Sequence, residues 1–139
     1  MAVQQRIEFR TRGRGLYDLT AKIAEVVRAS GADQGLCHVF IQHTSASLVI
    51  QENADPAVLR DLQRWIDHVA PEEPPFGRWE HADEGPDDMP AHVRAVLTHT
   101  SEIIPVRGGQ LALGTWQALY LWEHRTAPHT RTLIVTVLA

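Results

Sequence analysis

The sequence predicts an α+β fold, a compact single-domain sandwich of mainly antiparallel strands with two to three helices. A chain of 139 residues with 44% apolar and 22% charged residues is long and apolar enough for one core. Segments with a strand-like pattern precede, separate and follow the stretches with helical spacing, and the closing part of the chain is mostly strand-like. Because no linker or internal repeat interrupts the pattern, we expect one domain over residues 1–139.

The first half of the chain predicts three strands and one amphipathic helix. Residues 4–12 alternate apolar and polar side chains, as in a half-buried strand that ends at the following glycines. Residues 18–30 carry apolar side chains at helical spacing, and Gly31 supplies a stop. Residues 35–43 are apolar on both faces, which is typical of a central strand, and residues 47–52 resume as another strand.

The second half predicts two helices followed by a strand-rich end. Asp55 is a favoured N-cap and Pro56 a favoured first helical residue, so a helix is expected from there to about Pro71. A short helix should follow Asp88, its expected cap, with Pro90 in the first turn. Four strands are expected over residues 102–106, 110–113, 117–123 and 132–138, with Gly108-Gly109 as a hairpin turn.

Charge and cysteine content exclude several classes of protein. The net charge is −4, and no run of lysine and arginine marks a nucleic-acid or membrane surface. No apolar run is long enough to span a membrane, and the N-terminus lacks the apolar stretch of a secretory signal. The single cysteine, Cys37, lies in an apolar strand pattern and is interpreted as a buried hydrophobic residue. We therefore expect a cytoplasmic protein without nucleic-acid or membrane partners.

Residues 79–92 (WEHADEGPDDMPAH) are the part of the chain richest in chemically active side chains. His81 and His92 bracket the carboxylates, and Gly85-Pro86 and Met89-Pro90 restrict the backbone between them. A metal site needs such a set of side chains, and so does acid–base chemistry. An ordinary solvated acidic loop is the alternative. The carboxylates are Glu80, Asp83, Glu84, Asp87 and Asp88.

Two strand ends carry further polar clusters. His43 ends one predicted strand beside three hydroxyl side chains, which offer several donors to an anion. His124 ends another, between a carboxylate and a guanidinium group. A nucleophilic Ser–His pair lacks the G-x-S-x-G elbow that would support it. The neighbours are Thr44, Ser45 and Ser47 for His43, and Glu123 and Arg125 for His124.

Three blocks of the sequence resemble one known family. HTSASLVIQENADP (43–56), HADEGPDDMPAH (81–92) and LGTWQALYLWEHR (113–125) are similar, in order and spacing, to the signature blocks of the YjbQ family, also called the secondary thiamine-phosphate synthase enzyme family. The resemblance implies a compact α+β fold and a homotrimer with sites near subunit interfaces. It also implies a divalent metal and a weak thiamine-phosphate synthase activity, in which hydroxymethylpyrimidine diphosphate joins a thiazole phosphate and pyrophosphate is released.

Under this interpretation the substrate is a phosphorylated small molecule, and every candidate residue has an expected role. The catalytic candidates are Glu84, Asp87, His43, His124 and Arg125. The candidates for binding phosphate are Thr44, Ser45, Ser47, Asn53, Arg107 and Arg125. The candidate ligands are His43, His81, His92 and His124 for zinc, or Asp83, Glu84, Asp87 and Asp88 for magnesium.

Two other functions remain open on the sequence. One keeps the metal and hydrolyses a phosphorylated small molecule, with Glu84 or Asp87 as the base. The other is a non-catalytic trimeric module that binds a metal or a metabolite. The three hypotheses differ in whether turnover occurs and in what becomes of the phosphate group.

Overall fold

The computed structural model describes residues 1–139 as eight strands and three helices. The α+β class expected from the sequence is confirmed. The strands are β1 (Ala2–Arg10), β2 (Gly15–Asp18), β3 (Gln34–Ile41), β4 (Ala46–Glu52), β5 (Ser101–Arg107), β6 (Gln110–Leu111), β7 (Gln117–Glu123) and β8 (Thr130–Leu138). The helices are α1 (Thr20–Ser30), α2 (Pro56–Val69) and α3 (Asp88–Leu97).

The strands form two antiparallel sheets. The larger sheet has the order β1-β8-β3-β5-β6, and the smaller has the order β2-β7-β4. Val39 pairs with Val135 in the first sheet, and Leu48 pairs with Leu121 in the second. All four of these side chains are buried, because the facing sides of the two sheets and one side of α1 enclose the apolar core. Cys37 belongs to this core, and burial raises the pKa of its thiol to about 11, which makes it an unreactive packing group.

The first two helices begin and end as their sequence signals predict. The side chain of Asp55 accepts a hydrogen bond of 2.9 Å from the amide of Ala57, and Pro56 is the first residue of α2. Gly31 ends α1 with φ of 73°. None of the three helices has the length and apolar character needed to cross a membrane.

The third helix begins differently from the expectation. Asp88 was expected to cap it, but Asp88 is its first residue, and Asp87 in the cap position makes no side-chain capping bond. Both carboxylates are buried: Asp87 bonds to Arg125 and Thr126, and Asp88 lies against His81 and His92. The expected cap is therefore wrong, because these side chains serve contacts with other parts of the fold.

One strand of the structure was not predicted from the sequence. Gly13 and Gly15 were interpreted as the end of the first strand, yet Gly15 opens β2 and pairs with Glu123 of β7. Gly13 permits a close approach of two chain segments, because its φ is 127° and a Cβ there would lie 2.8 Å from the carbonyl oxygen of Thr126. The short edge strand brings Thr11 and Arg14 to the end of β7, where the site described next is built.

Candidate metal centre and anion cavity

Two histidines converge on one buried carboxylate. Asp88 is only 2% exposed, and its Oδ2 lies 3.0 Å from Nε2 of His81, while its Oδ1 lies 3.2 Å from Nε2 of His92. The three potential ligand atoms lie within 4.8 Å of one another. Asp88 and His92 stand one turn apart on α3, so the helix places them side by side, and the preceding loop carries His81 to them.

A hydrogen bond from His92 to Thr44 determines which nitrogen of the neutral ring carries the proton. Its Nδ1 lies 2.9 Å from the carbonyl oxygen of Thr44, which only accepts hydrogen bonds, so Nδ1 carries a proton. In a neutral ring, Nε2 is then an unprotonated lone pair that faces an oxygen of Asp88. Two electron pairs at that distance repel, so a proton or a metal cation belongs between them. Orientation of a ligating imidazole by a carbonyl on its other nitrogen is usual at metal sites.

Arg125 holds the loop that carries Asp88. Its Nε donates to Oδ2 of Asp87 at 2.9 Å, and its Nη1 donates to Oε2 of Glu84 at 2.6 Å. Its Nη2 donates to the backbone oxygen of Glu84 at 2.9 Å, and the Glu84 amide in turn donates to Oδ2 of Asp88 at 3.1 Å. The guanidinium is thus almost fully used within the protein. These bonds give Arg125 a role in holding residues 84–87 in place and leave it few donors for a free phosphate.

Asp87 is the second partner of this network. Burial alone would raise its pKa, but hydrogen bonds from the Arg125 side chain and the Thr126 backbone outweigh burial and hold the pKa well below its usual range. The same bonds and the nearby carboxylates raise the pKa of Arg125, which keeps it charged. A carboxylate of such low basicity that accepts four hydrogen bonds is poorly suited to act as a general base.

The cluster opens into a cavity of about 350 Å³ that has no hydrophobic lining residue. Hydroxyl, imidazole, carboxylate and guanidinium groups form its walls. The ten lining residues are Thr44, Ser45, His81, Asp83, Glu84, Asp88, His92, Arg125, His129 and Arg131.

Arg131, which forms one wall of the cavity together with Ser45, is held in a buried ion pair with Glu123. Arg131 is 3% exposed, and its Nε donates to Oε1 of Glu123 at 2.8 Å, while its Nη2 bonds to Oε2 of the same carboxylate. Burial would raise the pKa of Glu123, but hydrogen bonds from Arg131 and Thr11 lower it, so Glu123 stays ionised. Nη2 of Arg131 also donates to Oγ of Ser45 at 3.0 Å, which fixes this hydroxyl at the cavity.

His43 contacts Arg131 of this ion pair and does not contact the metal cluster. Its Nε2 accepts a hydrogen bond of 2.8 Å from the amide of Thr132, so the neutral ring carries its proton on Nδ1. That Nδ1 lies 3.2 Å from Nη1 of Arg131. Burial lowers the pKa of His43 and the charge of Arg131 lowers it further, which keeps the ring neutral. The expectation that His43 ligates the metal is therefore not met in the structure.

His124 is fully buried and lies behind the site. Its Nε2 is 2.8 Å from Oγ of Ser47, and its Nδ1 has no hydrogen-bond partner. Burial lowers its pKa to about 3, with further lowering by Arg94, Arg131 and Arg14. Ser47 and His124 do not line the cavity, so the structure places neither among the groups that could touch a substrate there.

Of the other predicted residues, some line the cavity and some do not. Those that line it are His81, His92, Glu84, Arg125, Thr44 and Ser45. Asp87 lies behind Arg125, and Asn53 and Arg107 lie elsewhere, at the ends of β4 and β5. The sequence interpretation missed Arg131 and His129, and it treated Asp88 as a cap or a magnesium ligand. The spacing of Asp88 and His92, one helical turn, was the signal that could have paired them.

The comparisons with known proteins agree with one another. The family model described as UPF0047 protein YjbQ-like matches residues 5–139. UPF0047 protein sll1880 of Synechocystis is 52% identical over 134 residues, which cover 96% of this chain and 90% of that protein. UPF0047 protein YjbQ of Escherichia coli O157:H7 is 36% identical over 138 residues, with coverage of 99% and 98%.

Solved structures give the same result. An uncharacterised conserved protein of the YjbQ/UPF0047 family from Clostridium acetobutylicum has a TM-score of 0.83 and 35% identity, covering 95% of this chain and 99% of that one. The conserved hypothetical protein TT1486 from Thermus thermophilus has a TM-score of 0.84 and 33% identity, with coverage of 96% and 99%. These relatives establish family and fold and name no reaction.

Proposed function

The chain belongs to the UPF0047 YjbQ-like family, and we propose that it is a metal-dependent enzyme that acts on a phosphorylated small molecule. One observation carries the proposal. Asp88, His81 and His92 converge at a cavity whose walls also present the hydroxyl of Ser45 and the guanidinium of Arg131. A cation site and a set of anion donors in one cavity suit a substrate that carries phosphate.

The donor set favours zinc or a similar first-row metal over magnesium. Two imidazole nitrogens and one carboxylate are typical of catalytic zinc, whereas magnesium prefers oxygen ligands alone. When bound, such an ion acts as a Lewis acid toward a phosphoryl oxygen or activates water. His81, Asp88 and His92 would hold it, and the carbonyl of Thr44 orients His92. Three protein ligands leave room for a substrate or water.

The protein's own residues divide the remaining tasks. Arg125 and Asp87 keep the loop of residues 84–88 against the end of β7, which positions Asp88. Ser45 and Arg131 offer donors to the phosphate. The carboxylate of Glu84 is the one group in the loop that combines exposure with a place on the cavity wall and a contact to Arg125, so it is the preferred candidate for moving a proton.

Two reactions are special cases of this proposal. The family resemblance points to thiamine-phosphate synthesis, in which the metal and the donors would stabilise the departing pyrophosphate. The lining of the cavity instead favours hydrolysis of a phosphate ester, because none of its ten residues is a hydrophobic side chain of the kind that usually packs against an aromatic ring.

A substrate panel tests the proposal. Purified protein is stripped with a chelator, reloaded with zinc, manganese or magnesium, and assayed with the two thiamine precursors and with a set of phosphate esters. We expect turnover to vanish on chelation, to return with zinc, and to be lost in Asp88→Asn but retained in Asp61→Asn, whose side chain on α2 is 76% exposed. Turnover that disappears on further purification while metal and phosphate binding persist would support a non-catalytic binding module instead.

A further inference from the structure

The chemistry of the cavity walls restricts the carbon part of the substrate. Pockets that bind organic molecules are usually lined mainly by hydrophobic and aromatic side chains, with a few polar groups. This cavity has a different composition, since none of its ten lining residues is hydrophobic. An aromatic or aliphatic group placed in it would bury polar groups without giving them partners, which is costly.

One side of the cavity offers hydrogen-bond donors. The guanidinium of Arg131 and the hydroxyl of Ser45 both line this side. The oxygen of Ser45 accepts from Nη2 of Arg131, so its own hydrogen is free to be donated. A phosphate group has the negative charge and the several oxygen acceptors that these donors require.

The opposite side of the cavity offers acceptors. Asp83 and Glu84 present carboxylate oxygens there, and 68% of the Glu84 side chain is exposed. Ionised carboxylates repel phosphate but accept hydrogen bonds from hydroxyl groups. The two sides therefore suit two different parts of one small molecule.

We propose that the substrate is a phosphate ester of a short hydroxylated carbon chain, with its phosphate at Ser45 and Arg131 and its hydroxyl groups toward Asp83 and Glu84. The proposal rests on the function proposed above and specifies its substrate class. A cavity of about 350 Å³ has room for a phosphate and a chain of this kind. The thiamine precursors, with their aromatic rings, do not belong to this class.

A matched pair of ligands tests the inference. Zinc-loaded protein is titrated calorimetrically with glycerol 3-phosphate and with phenyl phosphate, which share the phosphate and differ in hydroxylated against aromatic character, and with inorganic phosphate. We expect glycerol 3-phosphate to bind about tenfold or more tightly than phenyl phosphate. Ser45→Ala should weaken the binding of glycerol 3-phosphate and inorganic phosphate alike, by about tenfold, because a hydrogen bond to a charged group is lost. Ser101→Ala, the same change on a strand away from the cavity, is the control.

The possible outcomes separate this inference from the proposed function. Phenyl phosphate binding as tightly as glycerol 3-phosphate would overturn the substrate class and leave a metal-dependent phosphate site standing. Unchanged binding of inorganic phosphate in Ser45→Ala would overturn the placement of the phosphate. If zinc binds but none of the three phosphate compounds does, both proposals fail. Retention of the Arg131 bond to the backbone oxygen of Ser45, at 3.2 Å, should keep the variant folded, and a thermal melt checks this.

Discussion

Nε2 of His92 lies 3.2 Å from Oδ1 of Asp88, one helical turn away, while Nδ1 of the same ring is held by the carbonyl oxygen of Thr44. The Thr44 carbonyl therefore sets the orientation of the His92 ring. The other ring nitrogen, Nε2, points to the buried carboxylate of Asp88. With Nε2 of His81 also 3.0 Å from Asp88, the carboxylate is the centre of the cluster.

Asp88→Asn should reduce the affinity for zinc by about 100-fold or more. The substitution keeps the shape of the side chain but removes the charge of a direct ligand, and even the loss of a group that only supports a ligand costs about 10- to 100-fold. Competition with a chromogenic chelator measures the change. Asp61→Asn, at an exposed carboxylate on α2, should change the affinity less than about threefold; equal effects of the two substitutions would remove Asp88 from the metal site.

Arg125→Lys should weaken zinc binding about 10- to 100-fold although Arg125 is not a ligand. A lysine cannot reproduce the fork that bonds to Asp87 and Glu84 at once, so the loop that carries Asp88 loses its anchor. Zinc affinity and thermal melts are measured on the same preparation. Arg107→Lys at the distant β5–β6 turn is the matched control, and a normal zinc affinity in Arg125→Lys would contradict the anchoring role.

Asp87→Asn should lower the free energy of unfolding by about 3–5 kcal/mol, because it leaves the buried guanidinium of Arg125 without its main partner. Glu84→Gln should have a much smaller effect on stability, since 68% of the Glu84 side chain is exposed. The two carboxylates differ because the Asp87 side chain is only 8% exposed. Denaturant unfolding measures both variants, and equal losses of stability would contradict this difference.

Turnover tests the proposed role of Glu84. If Glu84 moves a proton, Glu84→Gln should reduce turnover by about 100-fold or more while the protein stays folded. Unchanged turnover in Glu84→Gln would remove this residue from the mechanism. Zinc content measured beside turnover shows whether an effect on rate arises from loss of the metal.

The contribution of Asp87 to stability should depend on pH in a defined direction. Its pKa in the folded protein lies below the ordinary value of 3.8, so the unfolded chain takes up a proton first as the pH falls. The stabilisation is therefore complete above pH 3.8 and is lost as the pH drops toward the folded pKa. The difference in unfolding free energy between the wild type and Asp87→Asn should be constant from about pH 5 to 7 and shrink below pH 3.8; a difference that grows on acidification would contradict it.

The protein should be a homotrimer, as the family resemblance implies. The outer face of the larger sheet carries exposed apolar side chains on neighbouring strands, among them Leu36, Phe40 and Ile103. Such a face suits burial against another subunit. Light scattering should report three chains, and Ile103→Glu should shift the population toward monomers, whereas Glu8→Gln on the charged edge strand should not. A monomer that persists at all concentrations would end the prediction.

The sequence by itself determined every element except β2, together with the class and the family. Alternation in β1, helical spacing in α1, the Asp55-Pro56 start of α2 and the Gly108-Gly109 turn are local signals, and each was interpreted correctly because only neighbouring residues decide it. The three sequence blocks identified the family, and residues 79–92 contain all three residues of the Asp88 cluster.

Only the tertiary structure decided which of these side chains meet. Four histidines looked equivalent along the chain, yet His81 and His92 face Asp88, His43 is held by Thr132, and His124 is buried against Ser47. Arg125 reaches Glu84 across 41 residues and Arg131 reaches Ser45 across 86, through the pairing of β7 and β8 with strands far away in the sequence. Periodicity reports only which face a residue occupies. The partner on that face depends on how distant segments pack, and this separates a ligand from a structural side chain.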